Sequence, residues 1–429
     1  MRFLVRIFYT FAWYLALPLV LARLWWRGRK EPGYRQHLLE RLGFYSRRDS
    51  AQKVIWVHAV SVGETRAAEP LIQALLNTYP KHDILLTHMT PTGRATGQSL
   101  FAKHGARIQQ AWLPYDIGWM LGRFIRQFSP SVCVLMETEV WPNLMAQCVK
   151  CKVPVALVNA RLSLRSLKKA QYLSSLLADA VQGFDVIAAQ AEADAERIRE
   201  LGALHVHVAG NMKFDVEPLS AVLERGAQLR QQIGHRLVLL CASTREGEEA
   251  LILDAIDALH VDNVLVIIVP RHPQRFEAVA LEILSRNITM HRRTMLGDGT
   301  LANDVRVLLG DSMGEMFAYY AACDLAFIGG SLLPLGGQNL IEACALAKPV
   351  LIGQHTFNFA TVSEDAIAAG AAVRVADAKS LMNEAACLLK SKEQCEMMGA
   401  RAQAFALRHR GATSRTLALL HPLVEAHSR

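Results

Sequence analysis

Two parallel α/β halves behind an apolar N-terminal helix are what this 429-residue sequence predicts. Three observations carry that reading. From Val54 onward, short apolar runs alternate with amphipathic stretches, the pattern of parallel strands joined by helices. Polar and glycine-rich segments stand directly after those runs, where open α/β sheets bind ligands. Ahead of them lies an uncharged stretch, Ile7 to Ala22, rich in Leu, Phe, Tyr and Trp.

Arg2 and Arg6 precede that stretch; Arg23, Arg27, Arg29 and Lys30 follow it. No small-residue cleavage site comes after it, which argues against a removed signal peptide. As a helix it reaches only about 24 Å, short of a roughly 30 Å hydrocarbon core. With Leu24, Trp25 and Trp26 added and the arginines snorkelling, it is long enough to span; an interfacial helix fits the same residues. The heavier basic flank on the C-terminal side keeps the remainder cytoplasmic. Residues 1–30 are therefore read as a membrane anchor.

The strands expected in the first half are Val54–Val57, Ile84–Thr87, Arg107–Trp112, Val132–Met136, Val153–Val158 and Val186–Ala189, with Val206–Ala209 a candidate seventh. In the second half they are Leu237–Cys241, Val264–Val269, Ile288–His291, Val305–Leu309, Leu325–Ile328 and Pro349–Ile352, with Ala372–Val375 a candidate last strand. The best boundary lies between Gly210 and Pro218, giving domains 31–213 and 214–429, the last helix having the option of returning to the first domain. Two such halves enclose a crevice, where ligands bind beyond the strand ends.

Apolar residues make up 52% and charged residues 20%, enough for sizeable cores. The formal charge of +8 suits an anionic partner: a membrane surface, a phosphorylated substrate or nucleic acid. No dense basic tract, helix-turn-helix or zinc-finger spacing is present, so nucleic acid is the weaker option. Cys148 and Cys151 form a C-x-x-C without a second pair or nearby His, and most of the eight cysteines sit in apolar runs. They read as core residues in a reducing compartment rather than as a disulfide frame or a metal site.

The densest signal is Gly329-Gly330-Ser331, then Gly336-Gly337-Gln338-Asn339 and Glu342. It separates the run ending at Ile328 from an expected helix over Leu340 to Ala347. Glycines at a strand-to-helix turn offer free amides and a positive dipole end to an anion. Glu342, on the same face as Asn339, suits ribose hydroxyls; a plain capped turn would use the same residues. Comparable polar turns follow the other strands: His58–Glu64, Thr90–Gly93, Glu137–Asn143, Asn159–Ser163, Gly210–Asp215, Ser243–Glu249 and Pro270–Pro273. So many at strand ends are hard to explain as caps.

Together these segments resemble the 3-deoxy-D-manno-octulosonic acid (Kdo) transferases of lipopolysaccharide synthesis. The resemblance covers nearly the whole chain and is most specific at His58–Glu64, Glu137–Asn143, Asn159–Ser163, Lys213–Asp215, Pro270–Arg275 and Gly329–Glu342. It implies the GT-B glycosyltransferase architecture, two Rossmann-like domains facing a crevice, with the acceptor on the first and the CMP-sugar donor mainly on the second. It implies transfer of Kdo from CMP-Kdo to a lipid A precursor (lipid IVA) at the cytoplasmic face of the inner membrane, with no metal and no bound cofactor. The family usually carries His where this chain has Gln338, and often His at Arg245.

The resemblance assigns Glu64 as the general base that takes the acceptor hydroxyl's proton, and Glu137 and Lys213 as transition-state stabilisers. A single base with in-line attack implies inversion. Glu137 paired with Arg161 as a buried structural acid is the competing role, and an ordinary linker lysine is the competing role for Lys213. The donor positions carry over to Pro270, Arg271, Met313, Gly314, Glu315, Asn339, Leu340, Ile341 and Glu342. Ser312 and Glu315 also fit a capping box. His58 reads as a structural hydrogen-bonder. The alternatives to a Kdo transferase are a GT-B protein with another nucleotide-sugar donor and a membrane-tethered binding module.

Overall fold

The computed structural model describes residues 2–29, 31–46, 50, 52–172, 174–218 and 220–426. Lys30, placed by sequence at the end of the anchor, lies outside them. The chain forms two compact units, Met1–Val216 with Arg410–Arg429, and Glu217–His409. Phe214–Val216 and the last helix, Ala412–Ala426, thus belong to the first unit.

The first unit is built on strands β1 (Lys53–His58), β2 (His82–His88), β3 (Ile108–Trp112), β4 (Pro130–Met136), β5 (Val155–Ala160), β6 (Val186–Ala189) and β7 (Val206–Val208). They lie in the order β3-β2-β1-β4-β5-β6-β7, all parallel. Ile55 stands opposite Ile84 on one side and Val132 on the other. Helices cover both faces, so the strands are apolar throughout rather than alternating. Side chains still alternate between faces. Ile55 and Val57 join the core that includes Leu71, Leu75, Leu420 and Val424. Val54 and Trp56 join the one that includes Phe124 and Phe128. Trp56 is fully buried and donates its indole N–H to Thr87 Oγ1 at 2.8 Å, so its polar atom is satisfied.

The last helix is tied to the first unit by Asp215, whose carboxylate accepts the N–H groups of Gly411 (2.7 Å) and Thr413 (2.6 Å). Arg415 Nε donates to the Ala209 carbonyl at 2.8 Å. An acid from a distant segment therefore caps the start of this helix.

The N-terminal helix runs over Arg2–Arg27. Trp13, Leu17, Val20 and Leu21 pack against Tyr115, Ile117 and Met120, and Tyr9 Oη donates to Asp116 Oδ2 at 2.9 Å. Phe8, Phe11, Leu15 and Leu19 are exposed on another face, at spacings of three and four residues that make one stripe.

The second unit holds β8 (Leu237–Thr244), β9 (Val264–Pro270), β10 (Met290–Arg292), β11 (Val307–Leu309), β12 (Leu325–Ile328), β13 (Val350–Ile352) and β14 (Ala372–Arg374). Their order is β10-β11-β9-β8-β12-β13-β14, again all parallel. Every strand expected from the sequence is found within three residues of its apolar run; β8 runs on to Thr244, and β5, β10 and β11 each start two residues late. Asn287 turns with φ 55°, and the Ile288 N–H bonds back to the Ile283 carbonyl, so β10 begins only at Met290. Val305 likewise bonds to Ala302, and β11 begins at Val307.

The strand order reverses between β1 and β4 in the first sheet and between β8 and β12 in the second, later strands being added on the opposite side of β1 and β8. The carboxyl ends at these two points are where open sheets bind ligands.

Replacing Asp215 with Ala should cost about 1–2 kcal/mol by leaving two helix-start amides without their acceptor. Urea denaturation followed by circular dichroism would show the midpoint fall; an unchanged midpoint would rule out the cap.

Candidate active site

At the first switch point, β4 ends and Glu137 turns with φ 55°, a left-handed conformation unfavourable for glutamate. Two main-chain bonds hold it there: its N–H donates to Val158 O, and Arg161 N–H donates to Glu137 O. The side chain is buried. Lys213 Nζ lies 3.0 Å from Oε1 and Arg161 Nε 3.2 Å from Oε2. Burial pushes the carboxyl pKa up, but Lys213 and then Arg161 more than reverse that, leaving it below the ordinary range. Glu137 is thus paired with both Arg161 and Lys213.

Lys213 is aimed by asparagines. Asn159, with φ 51°, accepts the Met212 N–H on Oδ1 at 3.0 Å, and Asn211 Oδ1 accepts the Lys213 N–H at 3.0 Å. These bonds shape the Met212–Asp215 turn that delivers the ammonium group to Glu137. Three segments distant in sequence therefore converge at one point.

Glu64 stands in the first turn of the helix Val62–Thr78, after β1. Its Oε2 accepts the Val60 N–H at 2.8 Å and its Oε1 the Ser61 hydroxyl at 3.0 Å. Among the described residues no cation offsets its charge. Burial raises its pKa to about 7, with the Val60 N–H opposing and Glu139 and Glu137 adding to the rise. A carboxyl poised there exchanges a proton readily near neutrality. His58 is fully buried, with Nδ1 2.9 Å from Thr87 Oγ1, and burial depresses its pKa to about 3. It stays neutral and structural.

In the second unit, Arg271 follows β9 and donates Nε to Gln338 Oε1 at 3.2 Å. Pro270, Leu340 and Ile341 are buried, and Met313 is exposed. Asn339 Nδ2 donates to Glu342 Oε1 at 3.1 Å while its Oδ1 accepts the Ile341 N–H at 3.1 Å. Glu315 accepts the Ser312 hydroxyl at 2.6 Å and lies 3.5 Å from both Arg225 Nη1 and Arg293 Nε.

Three expectations need correction. The helix after the glycine segment is only Ile341–Ala345, ended by Ala347 at φ 55°, so it has little dipole to offer. The capping box is not formed: Gly314 at φ 79° breaks the turn, the helix starts at Met316, and Ser312 bonds the Glu315 side chain instead. The amides of Gly330, Ser331 and Leu332 are not free, because the Glu248 carboxylate accepts all three. Glu248 is not among the site residues expected from the sequence. The signal available was its place directly after a glycine at a strand end, among residues read only as a polar turn.

Residues 36–216 match the family model described as 3-Deoxy-D-manno-octulosonic-acid transferase (kdotransferase). A 3-deoxy-D-manno-octulosonic acid transferase of Bordetella pertussis is 44% identical over 95% of this chain and 97% of its own length. One from Haemophilus influenzae is 36% identical over 98% of this chain and 99% of its own. The UDP-GlcNAc 2-epimerase of Neisseria meningitidis, solved with UDP-GlcNAc, aligns over 86% of this chain and all of its own with a TM-score of 0.61. At 16% identity that likeness shows the fold alone: two Rossmann-like domains of the GT-B class.

The Glu64 carboxyl makes stability depend on pH. The unfolded chain loses this proton near pH 4.5 and the folded chain only near pH 7, so ionisation opposes folding as pH rises between those values. Between pH 5 and pH 8 the native protein should therefore lose up to about 3 kcal/mol relative to Glu64→Gln. Urea midpoints of both proteins at the two pH values test this; a constant gap would show that the carboxyl titrates normally.

Proposed function

This chain belongs to the 3-deoxy-D-manno-octulosonic acid transferases of lipopolysaccharide synthesis, and from that premise we propose that it moves Kdo from CMP-Kdo to a lipid A precursor (lipid IVA) with inversion at the anomeric carbon. The observation that carries the mechanism is the contrast between two neighbouring carboxyls. Glu64 is poised near neutrality with no cation beside it among the described residues, while Glu137 is held ionised between Lys213 and Arg161.

Glu64 takes the proton from the acceptor hydroxyl. The hydroxyl oxygen bonds to the anomeric carbon as the bond to phosphate breaks, and CMP leaves with the electron pair. Lys213, held by Glu137, steadies the charge that develops during transfer. Arg271 meets the phosphate, and Asn339 and Glu342 meet the ribose. Pro270, Met313, Gly314, Glu315, Leu340 and Ile341 complete the donor site. No step calls on a metal or a bound cofactor.

The N-terminal helix holds the enzyme at the inner membrane, its other residues on the cytoplasmic side. Packing of Trp13, Leu17 and Val20 on the globular unit, with Phe8, Phe11, Leu15 and Leu19 exposed, favours a helix lying in the interface over one that spans.

Purified protein given CMP-Kdo and lipid IVA should yield a Kdo-bearing lipid by mass spectrometry; no product beside an active control would sink the reading. Glu64→Ala should lower kcat by about 10²- to 10⁴-fold. In the native enzyme kcat/KM should rise with pH through about 7, as the base loses its proton. Changing Phe11, Leu15 and Leu19 together to Ser should move the protein from sedimented anionic vesicles to the supernatant. Retention on the vesicles would refute the interfacial stripe.

A further inference from the structure

We propose that Glu248 is a positioning residue of the donor site, an internal anion that holds the ends of β8 and β12 in the shape that receives CMP. The inference rests on the donor reading above. Glu248 opens the helix Glu248–Ala255, directly after Gly247 at φ 90°, and is fully buried. Its Oε2 accepts the N–H groups of Gly330 (2.5 Å) and Arg245 (2.9 Å); its Oε1 accepts those of Ser331 (2.9 Å) and Leu332 (3.0 Å). Among the described residues no ion pair neutralises it. Four main-chain dipoles do so instead, as they would for a bound phosphate.

These donors come from the two strand ends that flank the second switch point. The ends approach so closely that a Cβ on Gly329 would lie 2.6 Å from the Ser243 carbonyl oxygen. Two of the segments proposed to contact CMP then hang by one main-chain bond from the held residues or their neighbours. Gly337 N–H donates to Gly330 O at 2.6 Å, which seats the arm carrying Asn339 and Glu342. Arg271 N–H donates to Thr244 O at 2.9 Å, beside Arg245. A donor phosphate cannot use amides that a carboxylate already fills. The cradle is therefore built into the protein before substrate arrives, and the nucleotide binds to the arms it supports.

Glu248→Gln keeps the shape but turns an NH2 group toward two N–H donors; Glu248→Asp keeps the charge but is one methylene shorter. Kd for CMP by calorimetry and KM for each substrate are measured for both and for the native enzyme, with circular dichroism confirming the fold. Glu248→Gln should raise Kd for CMP and KM for CMP-Kdo at least tenfold and leave KM for the lipid within twofold, with Glu248→Asp intermediate. A folded Glu248→Gln protein that binds CMP within twofold of native affinity would overturn the inference alone. Native protein that does not bind CMP would overturn the donor reading, and this inference with it. Should the variants not fold, hydrogen exchange on the native enzyme decides. The Gly330–Leu332 amides should be protected without CMP and unchanged by it; fast exchange, or protection only with CMP, would refute the held cradle.

Discussion

Keeping negative charge at the carboxyl ends of parallel strands, largely out of water, is the constraint on which this structure turns. A buried carboxylate must be neutralised, hydrogen-bonded or protonated. Glu137 is met by two cations and stays ionised. Glu248 is met by four main-chain amides. Glu249, fully buried beside it, has Arg275 at 3.1 Å and the Thr244 hydroxyl at 3.0 Å. Glu64 is met, among the described residues, by an amide and a hydroxyl, and burial raises its proton affinity. One residue type is thus accommodated in different ways, by cations, by main-chain amides or by a raised proton affinity, according to what surrounds it.

That division is what the proposed transfer mechanism draws on. The acceptor hydroxyl is a weak nucleophile, and a base titrating near neutrality is matched to it. An ionised Glu137 cannot serve as that base without losing Lys213 and Arg161. Its strained backbone and the two asparagine-held turns cost energy that the sheet around them supplies, as expected where geometry serves function. In the second unit the glycines do comparable work. Gly330, Gly336 and Gly337 all adopt positive φ, so the loop can fold back over the strand ends and around Glu248.

The strands were legible because parallel strands covered on both faces are continuous apolar runs, and runs such as Leu325–Ile328 and Val186–Ala189 end where the sheet ends. Edges were less legible where a local turn competed with the ladder, as at Asn287. The Ser312–Glu315 pair shows the limit of local pattern: the spacing fits a cap, yet the left-handed Gly314 diverts the chain and the two side chains bond each other. The glycine segment was correctly placed as a strand-to-helix turn, but its amides were assigned to a ligand when an acid about 80 residues earlier takes them.

The sequence by itself determined the alternation of strands and helices, the apolar leading helix, the polar turns at strand ends and the family to which the chain belongs. These are local in character: periodicity, turn residues and the residue types a reaction needs appear within short windows. Only the tertiary structure decided which carboxylates share a cation, which are satisfied by amides and which is left to hold a proton. Those outcomes depend on contacts between segments far apart in the chain, Lys213 on Glu137, Met212 on Asn159, Gly330 on Glu248. Burial and pairing are properties of the folded arrangement, so the identity of an acid can be read in sequence while its charge state cannot.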